Sequence, residues 1–149
     1  MSGLSRFALR VMWKKHRFWY RVSGGRIGTR ISGLSVMELT TTGRTSGRPR
    51  RVMLTYLPDP AGFVVIASNA GAEEDPAWWR NLQSRPDATV REGRVTHAVR
   101  MRGLEGDERE RAWQRAVDAF GGYATYATKT TRTIPVGLLE KIAGEPPAN

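Results

Sequence analysis

The sequence from position 36 to position 67 reads VMELTTTGRTSGRPRRVMLTYLPDPAGFVVIA. It holds three segments rich in β-branched and apolar residues, at 36–42, 50–57 and 63–67. Residues 43–49 and 58–62 separate them and are rich in Gly, Pro, Ser and Asp, which favour turns between neighbouring strands. In 50–57 apolar and polar residues alternate, whereas 63–67 is apolar throughout, as in a strand that is covered on both faces. The pattern therefore predicts antiparallel strands joined by hairpins.

A helix is predicted after this meander. Asp75 is a candidate cap, and Pro76 suits the first helical position. The helix would end at 85–87, where Arg-Pro-Asp stands. Its apolar side is formed by Trp78, Trp79 and Leu82.

The remaining pattern predicts a hairpin, a second helix and a last strand. Residues 88–92 and 95–102 pair across Gly93. A helix opens at Asp107, with Glu110 placed as in a capping box, and stops at the glycines 121–122. Residues 133–142 form the last strand. Five or six strands with two inserted helices predict a mainly β fold, a small antiparallel barrel, and the lack of consecutive βαβ units disfavours a Rossmann sheet.

Composition limits the function. The chain of 149 residues has no cysteine and two histidines, which excludes disulfides and thiolate metal sites and disfavours an imidazole metal centre. We therefore expect no metal. His97, in the middle of a predicted strand, is interpreted as structural. Because no apolar run approaches 18 residues and no signal peptide is apparent, the expected location is cytoplasmic.

The positive charge is concentrated at the N-terminus. Residues 1–30 contain eight of the 24 basic residues and no acidic one, since the first acid is Glu38. Apolar residues recur there at helical spacing, which predicts a basic amphipathic arm that, with a Gly-rich linker, spans 1–33. The predicted barrel, which would bind the ligand, follows over 34–143 and a tail over 144–149. Such an arm suits reversible binding to an anionic membrane surface, or a terminal helix packed on its own domain. Nucleic acid is disfavoured, because the rest of the chain has a net charge of only +2.

One loop stands out chemically. Residues 40–51 contain four arginines, five hydroxyl side chains and two glycines. Guanidinium groups, hydroxyls and glycine-exposed N–H groups together favour a phosphate or carboxylate. The alternative is a solvated loop without a ligand. Small residues at 67–71 and the helix N-terminus at 75–81 are further candidates to face a flat, anionic ligand.

Several motifs occur in a fixed order. They are T-T-x-G-R-x-S-G-x-P-R ending at Arg50, A-S-x-x-G from Ala67, P-x-W-W-x-N-L from Pro76, Y-x-x-Y from Tyr123 and T-x-R-x-I-P ending at Pro135. In this order they resemble the deazaflavin-dependent nitroreductase family of actinobacteria, within the flavin-binding split β-barrel superfamily. The resemblance covers roughly residues 34–140. Members of the family also have a basic, amphipathic N-terminal segment, which matches the arm described above.

The resemblance implies coenzyme F420, a deazaflavin with a phosphate and an anionic oligoglutamate tail. It implies hydride transfer from the reduced cofactor to a quinone, menaquinone-like, or to a nitroaromatic acceptor. The catalytic residues implied are Tyr123, Tyr126 and Ser68. The cofactor-binding residues implied are Arg44, Thr45, Ser46, Arg50, Arg51, Val52, Met53, Leu54, Thr55, Ala67, Ser68, Asn69, Ala77, Trp78, Trp79, Arg80 and Asn81.

The sequence departs from the family pattern at three positions. Thr45 and Asn69 stand where a cation is often found, and Phe120 stands where a further tyrosine occurs. Two other functions remain open from the residues alone: an FMN-dependent reductase of the same fold, and a non-enzymatic module that binds an anionic membrane or nucleic acid. The protein is expected to be a monomer or a homodimer.

Overall fold

The computed structural model describes residues 30–31 and 34–143. The predicted arm, apart from a two-residue strand, and the tail lie outside the described residues. The strands are β1 Arg30–Ile31, β2 Leu34–Thr42, β3 Pro49–Asp59, β4 Gly62–Ile66, β5 Asp87–Glu92, β6 Val95–Gly103 and β7 Val136–Lys141. The helices are α1 Ala77–Ser84, α2 Gly106–Ala119 and α3 Gly122–Thr128, and a 3₁₀ turn spans Asn69–Gly71.

Six of the strands close into an antiparallel barrel in the order β2-β3-β4-β7-β6-β5, with β5 returning to β2. Leu39 illustrates the closure, because it lies opposite Val52 of β3 and opposite Val90 of β5. The barrel predicted from the sequence is therefore confirmed. Within the described part of the chain, no helix has the length and apolarity needed to cross a bilayer.

The strand directions separate the two ends of the barrel. Since every pairing is antiparallel, β2, β4 and β6 end where β3, β5 and β7 begin. The three long connections, 43–48, 67–86 and 104–135, therefore lie at one end, which we call the connector end. The short turns at 60–61 and 93–94 lie at the opposite end. This topology brings together three parts of the chain: the loop in the arginine-rich stretch 40–51, which we call the arginine loop, the small residues after β4, and α1.

Two apolar clusters hold the barrel. One fills the interior with side chains from every second position of the strands, such as Leu39, Phe63, Val90 and Leu139, together with both tryptophans of α1. The other lies between α2 and the outer face of β4 and β7. Residues from Gly62 to Val65 are all buried, which confirms that β4 is covered on both faces.

Both predicted helix caps are wrong. Helix α1 begins at Ala77 after Pro76, and no side chain caps it, because the Asp75 carboxylate binds Arg132 instead at 2.9 Å. Helix α2 begins at Gly106 without a capping box. Glu110 instead accepts a hydrogen bond from its neighbour Arg109.

Three further elements differ from the prediction. Helix α3 was not predicted, and β7 begins at Val136 rather than at residue 133. The alternation in 50–57 places Met53 on the same side of β3 as Arg51 and Thr55, yet Met53 is only 2% exposed. That side of β3 is covered near Thr55, whose hydroxyl meets Tyr123 of α3. The hairpin across Gly93 is confirmed, with Gly93 at φ +60°.

Candidate functional site

A cleft of about 390 Å³ opens at the connector end of the barrel. Its volume lies within the range of small-molecule sites. The lining comes from the end of β2, the loop that follows, the start of β3, and α1. The lining residues are Thr41, Gly43, Arg44, Thr45, Ser46, Arg50, Arg51, Val52, Ala77, Trp78 and Asn81.

A buried amide joins the loop to the helix. The Asn81 Oδ1 atom accepts hydrogen bonds from the Arg44 backbone N–H at 3.2 Å and from Arg44 Nη1 at 2.9 Å. Its Nδ2 donates to Thr41 Oγ1 at 3.1 Å. Asn81 is 4% exposed and Thr41 is 2% exposed. These two buried side chains therefore hold the exposed Arg44 guanidinium in place.

The loop itself is closed by short contacts. The Gly43 N–H donates to the Arg48 carbonyl at 2.8 Å, and the Gly47 N–H donates to the Gly43 carbonyl at 2.8 Å. Ser46 Oγ accepts bonds from the Arg48 N–H at 3.2 Å and from Arg50 Nη2 at 3.3 Å. A Cβ atom at Gly43 would lie 2.5 Å from Ser46 Oγ, so a larger residue there would displace the hydroxyl.

The cleft is electropositive. Three arginines line it, and none of the lining residues that the structure describes is acidic. Helix α1 begins at Ala77 on its wall with no side-chain cap, so its first N–H groups add positive potential. Guanidinium forks, hydroxyls and helix N–H groups are donors that suit a phosphate or a carboxylate.

Nine of the residues implied by the resemblance line the cleft. They are Arg44, Thr45, Ser46, Arg50, Arg51, Val52, Ala77, Trp78 and Asn81. The others of β3 and α1 lie around it. Leu54 and Trp79 pack in the barrel interior, Met53 is buried, and Arg80 is exposed. The Trp79 Nε1–H is buried without a hydrogen-bond partner among the described residues.

The residues that the resemblance implies at 67–69 and in α3 are not among those that line the cleft. Ala67 and Ser68 are buried at the end of β4, and Asn69 is exposed in the 3₁₀ turn. Tyr123 is 6% exposed, and its hydroxyl lies 2.8 Å from Thr55 Oγ1. Burial raises the pKa of Tyr123 above its ordinary value, so this phenol keeps its proton at neutral pH.

An aromatic cluster surrounds Tyr123. Its ring packs edge to face on Phe120 at 5.2 Å and on Tyr126 at 6.3 Å, and lies 6.5 Å from Trp113. The rings come from α2 and α3 and the junction between them, so the unpredicted helix α3 brings both tyrosines together. The Y-x-x-Y spacing was the sequence signal for this arrangement, because residues three apart share one helix face.

The described residues contain no group of three His, Cys, Asp or Glu side chains that could hold a metal ion. His97 packs against the Phe63 ring at 5.6 Å and lies 3.5 Å from Glu92. None of these three residues lines the cleft. The contacts agree with the structural interpretation of His97.

Residues 12–141 match the family model described as F420H(2)-dependent quinone reductase. The chain belongs to this family. An F420H(2)-dependent quinone reductase of Mycobacterium tuberculosis is 32% identical over 130 residues, which are 85% of this chain and 87% of the relative. The predicted family and its split-barrel fold are confirmed.

Solved structures agree with the family. The F420-H2 dependent reductase FDR-A is 38% identical with a TM-score of 0.65, over 70% of this chain and 93% of that one. A structure described as a domain-swapped dimer is 32% identical with a TM-score of 0.68, over 88% of this chain and 99% of that one. Both solved structures share the barrel fold of this chain.

Proposed function

We propose that this protein is an F420-dependent reductase that transfers a hydride from the reduced deazaflavin to a quinone, menaquinone-like, or to a nitroaromatic acceptor. The observation that carries the proposal is the arginine-lined cleft at the connector end, in a chain of the F420H(2)-dependent quinone reductase family. The cleft residues fit the cofactor. Apolar Val52, Ala77 and Trp78 suit a flat ring, and three guanidinium groups suit its phosphate and its glutamate tail.

When bound, the reduced deazaflavin supplies the hydride, and the acceptor takes up that hydride together with a proton. Arg44, Arg50 and Arg51 neutralise the anionic end of the ligand, while Ser46 adds a neutral donor. Asn81 holds Arg44 in place before the ligand arrives, which lowers the entropy lost on binding.

The proposed role of Ser68 and Tyr123 is to donate hydrogen bonds toward the acceptor oxygen as its charge grows. Tyr123 suits donation rather than proton abstraction, because burial raises its pKa. Tyr126 packs against it and fixes the ring. Small side chains at Ala67 and Ser68 leave room for a planar group beside the strand end.

The direct test mixes the purified protein with reduced F420 and menadione and follows the return of oxidised-cofactor absorbance. Turnover supports the proposal. The absence of both cofactor binding and turnover, with every quinone and nitro acceptor tried, refutes it. A parallel titration with FMN tests the alternative cofactor, which gains support if FMN alone binds. Titrations are read from tryptophan fluorescence, since Trp78 lines the cleft.

A double variant tests the assigned grip. Arg44→Ala with Arg50→Ala should weaken F420 affinity by about 2 kcal/mol, or roughly 30-fold, because two charge-assisted contacts are lost at an exposed rim. Arg94→Ala is the matched control, since Arg94 is exposed in the turn at the opposite end of the barrel. Unchanged affinity in the double variant removes the role assigned to these arginines.

We also propose that residues 1–30 bind the cytoplasmic face of an anionic membrane, where a menaquinone-like acceptor would be reached. Eight basic residues and no acid in this stretch support the proposal, because each basic group near an anionic surface contributes about 1 kcal/mol. In a flotation assay the full chain should rise with anionic vesicles, whereas a chain lacking residues 1–30 should not. Equal flotation of both chains would contradict it.

A further inference from the structure

The loop that joins β4 to α1 has an unusual backbone. Asn69, Ala70 and Gly71 follow one another at φ +47°, +55° and +80°. Two of the three carry a Cβ atom, and such residues rarely adopt left-handed conformations. A strained stretch of this kind persists only where surrounding contacts hold it in place.

One side chain makes many of these contacts. Arg132 Nε donates to the Ala72 carbonyl at 2.9 Å, and Nη1 donates to Asp75 Oδ1 at 2.9 Å. Its Nη2 donates to the Ser68 carbonyl at 2.9 Å and to the Ala67 carbonyl at 3.3 Å. The side chain is 16% exposed, so these bonds form largely away from solvent.

The held loop touches the other parts of the site. Ser68 lies at its start, and α1, which carries Trp78 and Asn81 on the cleft wall, follows its end. Gly71 packs so closely on α3 that a Cβ atom there would lie 3.0 Å from the Tyr126 carbonyl oxygen and 3.0 Å from Lys129 Cβ. A shift of this loop would therefore move both the cleft helix and the tyrosine helix.

We propose that Arg132 is the positioning residue of the site: its guanidinium fork fixes residues 67–75 so that Ser68, α1 and α3 keep their places around the cofactor. The inference rests on the proposed function. A planar fork with five N–H donors can serve three carbonyls and a carboxylate at once, whereas a lysine ammonium offers three donors from a single point. Arg132 touches neither cofactor nor acceptor in this role.

The experiment compares wild type with Arg132→Ala and Arg132→Lys. Arg109→Ala is the matched control, because Arg109 is 19% exposed and also donates to a backbone carbonyl, that of Ile134 at 2.7 Å. Its other side-chain bond goes to Glu110 rather than to the loop. We expect the F420 dissociation constant to rise at least tenfold in Arg132→Ala, less in Arg132→Lys, and less than twofold in Arg109→Ala.

Two readouts separate positioning from a general loss of stability. Hydrogen exchange without cofactor should quicken at the Gly71 and Ala72 amides, which bond to the Ser68 and Asn69 carbonyls, and should not quicken there in the Arg109 variant. Millimolar guanidinium should raise the F420 affinity of Arg132→Ala at least threefold more than it raises the F420 affinity of wild type. A variant that is merely less stable would exchange faster throughout the protein rather than at these two amides alone, and guanidinium would not restore its affinity.

The outcomes distinguish this inference from the proposed function. If wild type turns over but Arg132→Ala binds and turns over within twofold of it, the positioning role is refuted and the function stands. If wild type neither binds nor turns over, the proposed function fails, and normal exchange at Gly71 and Ala72 in Arg132→Ala would refute the loop anchor as well. If Arg132→Ala does not fold, Arg132→Lys and Asp75→Asn carry the same measurements, with unchanged affinity and exchange as the refuting result.

Discussion

Asn81 offers the sharpest separation of stability from affinity in this site. Its amide lies between the buried Thr41 hydroxyl and the exposed Arg44 guanidinium, so two substitutions affect the two sides differently. Asn81→Ala removes all three hydrogen bonds. Asn81→Asp has nearly the same shape. Its carboxylate still accepts from Arg44, and the Thr41 hydroxyl, which accepts from the Asn81 amide in the wild type, can turn to donate to it.

The magnitudes follow from burial. In Asn81→Ala the Thr41 hydroxyl, 2% exposed, loses its partner, which costs about 1–3 kcal/mol and about 2–12 °C in Tm for a chain of this size. Arg44 is exposed and finds water, so its main loss is order, about 0.5–1.5 kcal/mol, or roughly 2- to 12-fold in cofactor affinity. In Asn81→Asp the new charge pairs with Arg44 and repels the anionic ligand. The F420 affinity should therefore fall by about 5- to 30-fold.

The two variants should therefore rank in opposite orders. Asn81→Ala should have the lower Tm by circular dichroism, and Asn81→Asp should have the lower F420 affinity by fluorescence titration. The deficit of Asn81→Asp should also shift with added salt, which screens exposed charges. Gln83→Ala, an exposed neighbour on α1, is the control. The same rank order in both assays would refute the assignment of Asn81 as the link between core and cleft.

Three further predictions follow from named contacts. Tyr123→Phe should lower the free energy of unfolding by about 0.5–1.5 kcal/mol, because it removes the bond to Thr55. The pKa of Tyr123 is raised in the folded protein, so wild type should lose the stability that this phenol contributes as the pH of thermal melts rises above about 10, whereas the variant should not. Arg102 lowers the pKa of the Glu108 carboxyl by a hydrogen bond, so the Tm gap between wild type and Arg102→Ala should shrink as pH falls from 6 toward 3, and a constant gap would contradict this. Gly62→Ala would press a Cβ atom onto a backbone carbonyl of β7 and should cost about 2 kcal/mol or more in chemical denaturation.

Local chemistry predicted the strands and their turns well, but it did not predict contacts between distant segments. The turn residues around Gly93 and after Leu57 act within a few positions, so the hairpins could be identified directly. Asp75 looked like a cap, yet Arg132, 57 positions away, takes its carboxylate. Helix α3 is short and contains a glycine and two threonines among seven residues, so packing of Tyr123 rather than propensity stabilises it.

The site followed the same division. Composition identified the arginine loop, and the ordered motifs identified the cofactor class, because both are properties of consecutive residues. The bond between Asn81 and Thr41, 40 positions apart, depends on barrel closure and had no local signal. The four bonds of Arg132 are also long-range, although the residue lay inside a motif that the sequence analysis used.

The proposed site has an exposed rim and packed walls. The arginines proposed to bind the anionic tail lie at the rim, in the loop after β2 and at the start of β3, whereas Val52 and Trp78, the proposed walls beside the ring, pack against the barrel interior. Charge changes at the rim are absorbed by solvent and by the loop, so they should alter affinity without moving the walls. Changes behind the walls, as at Arg132, should instead shift elements that are close-packed and cannot deform locally. We therefore expect the rate of hydride transfer to depend also on residues that never touch the anionic tail, because transfer requires the ring and the acceptor to be aligned within a fraction of an ångström.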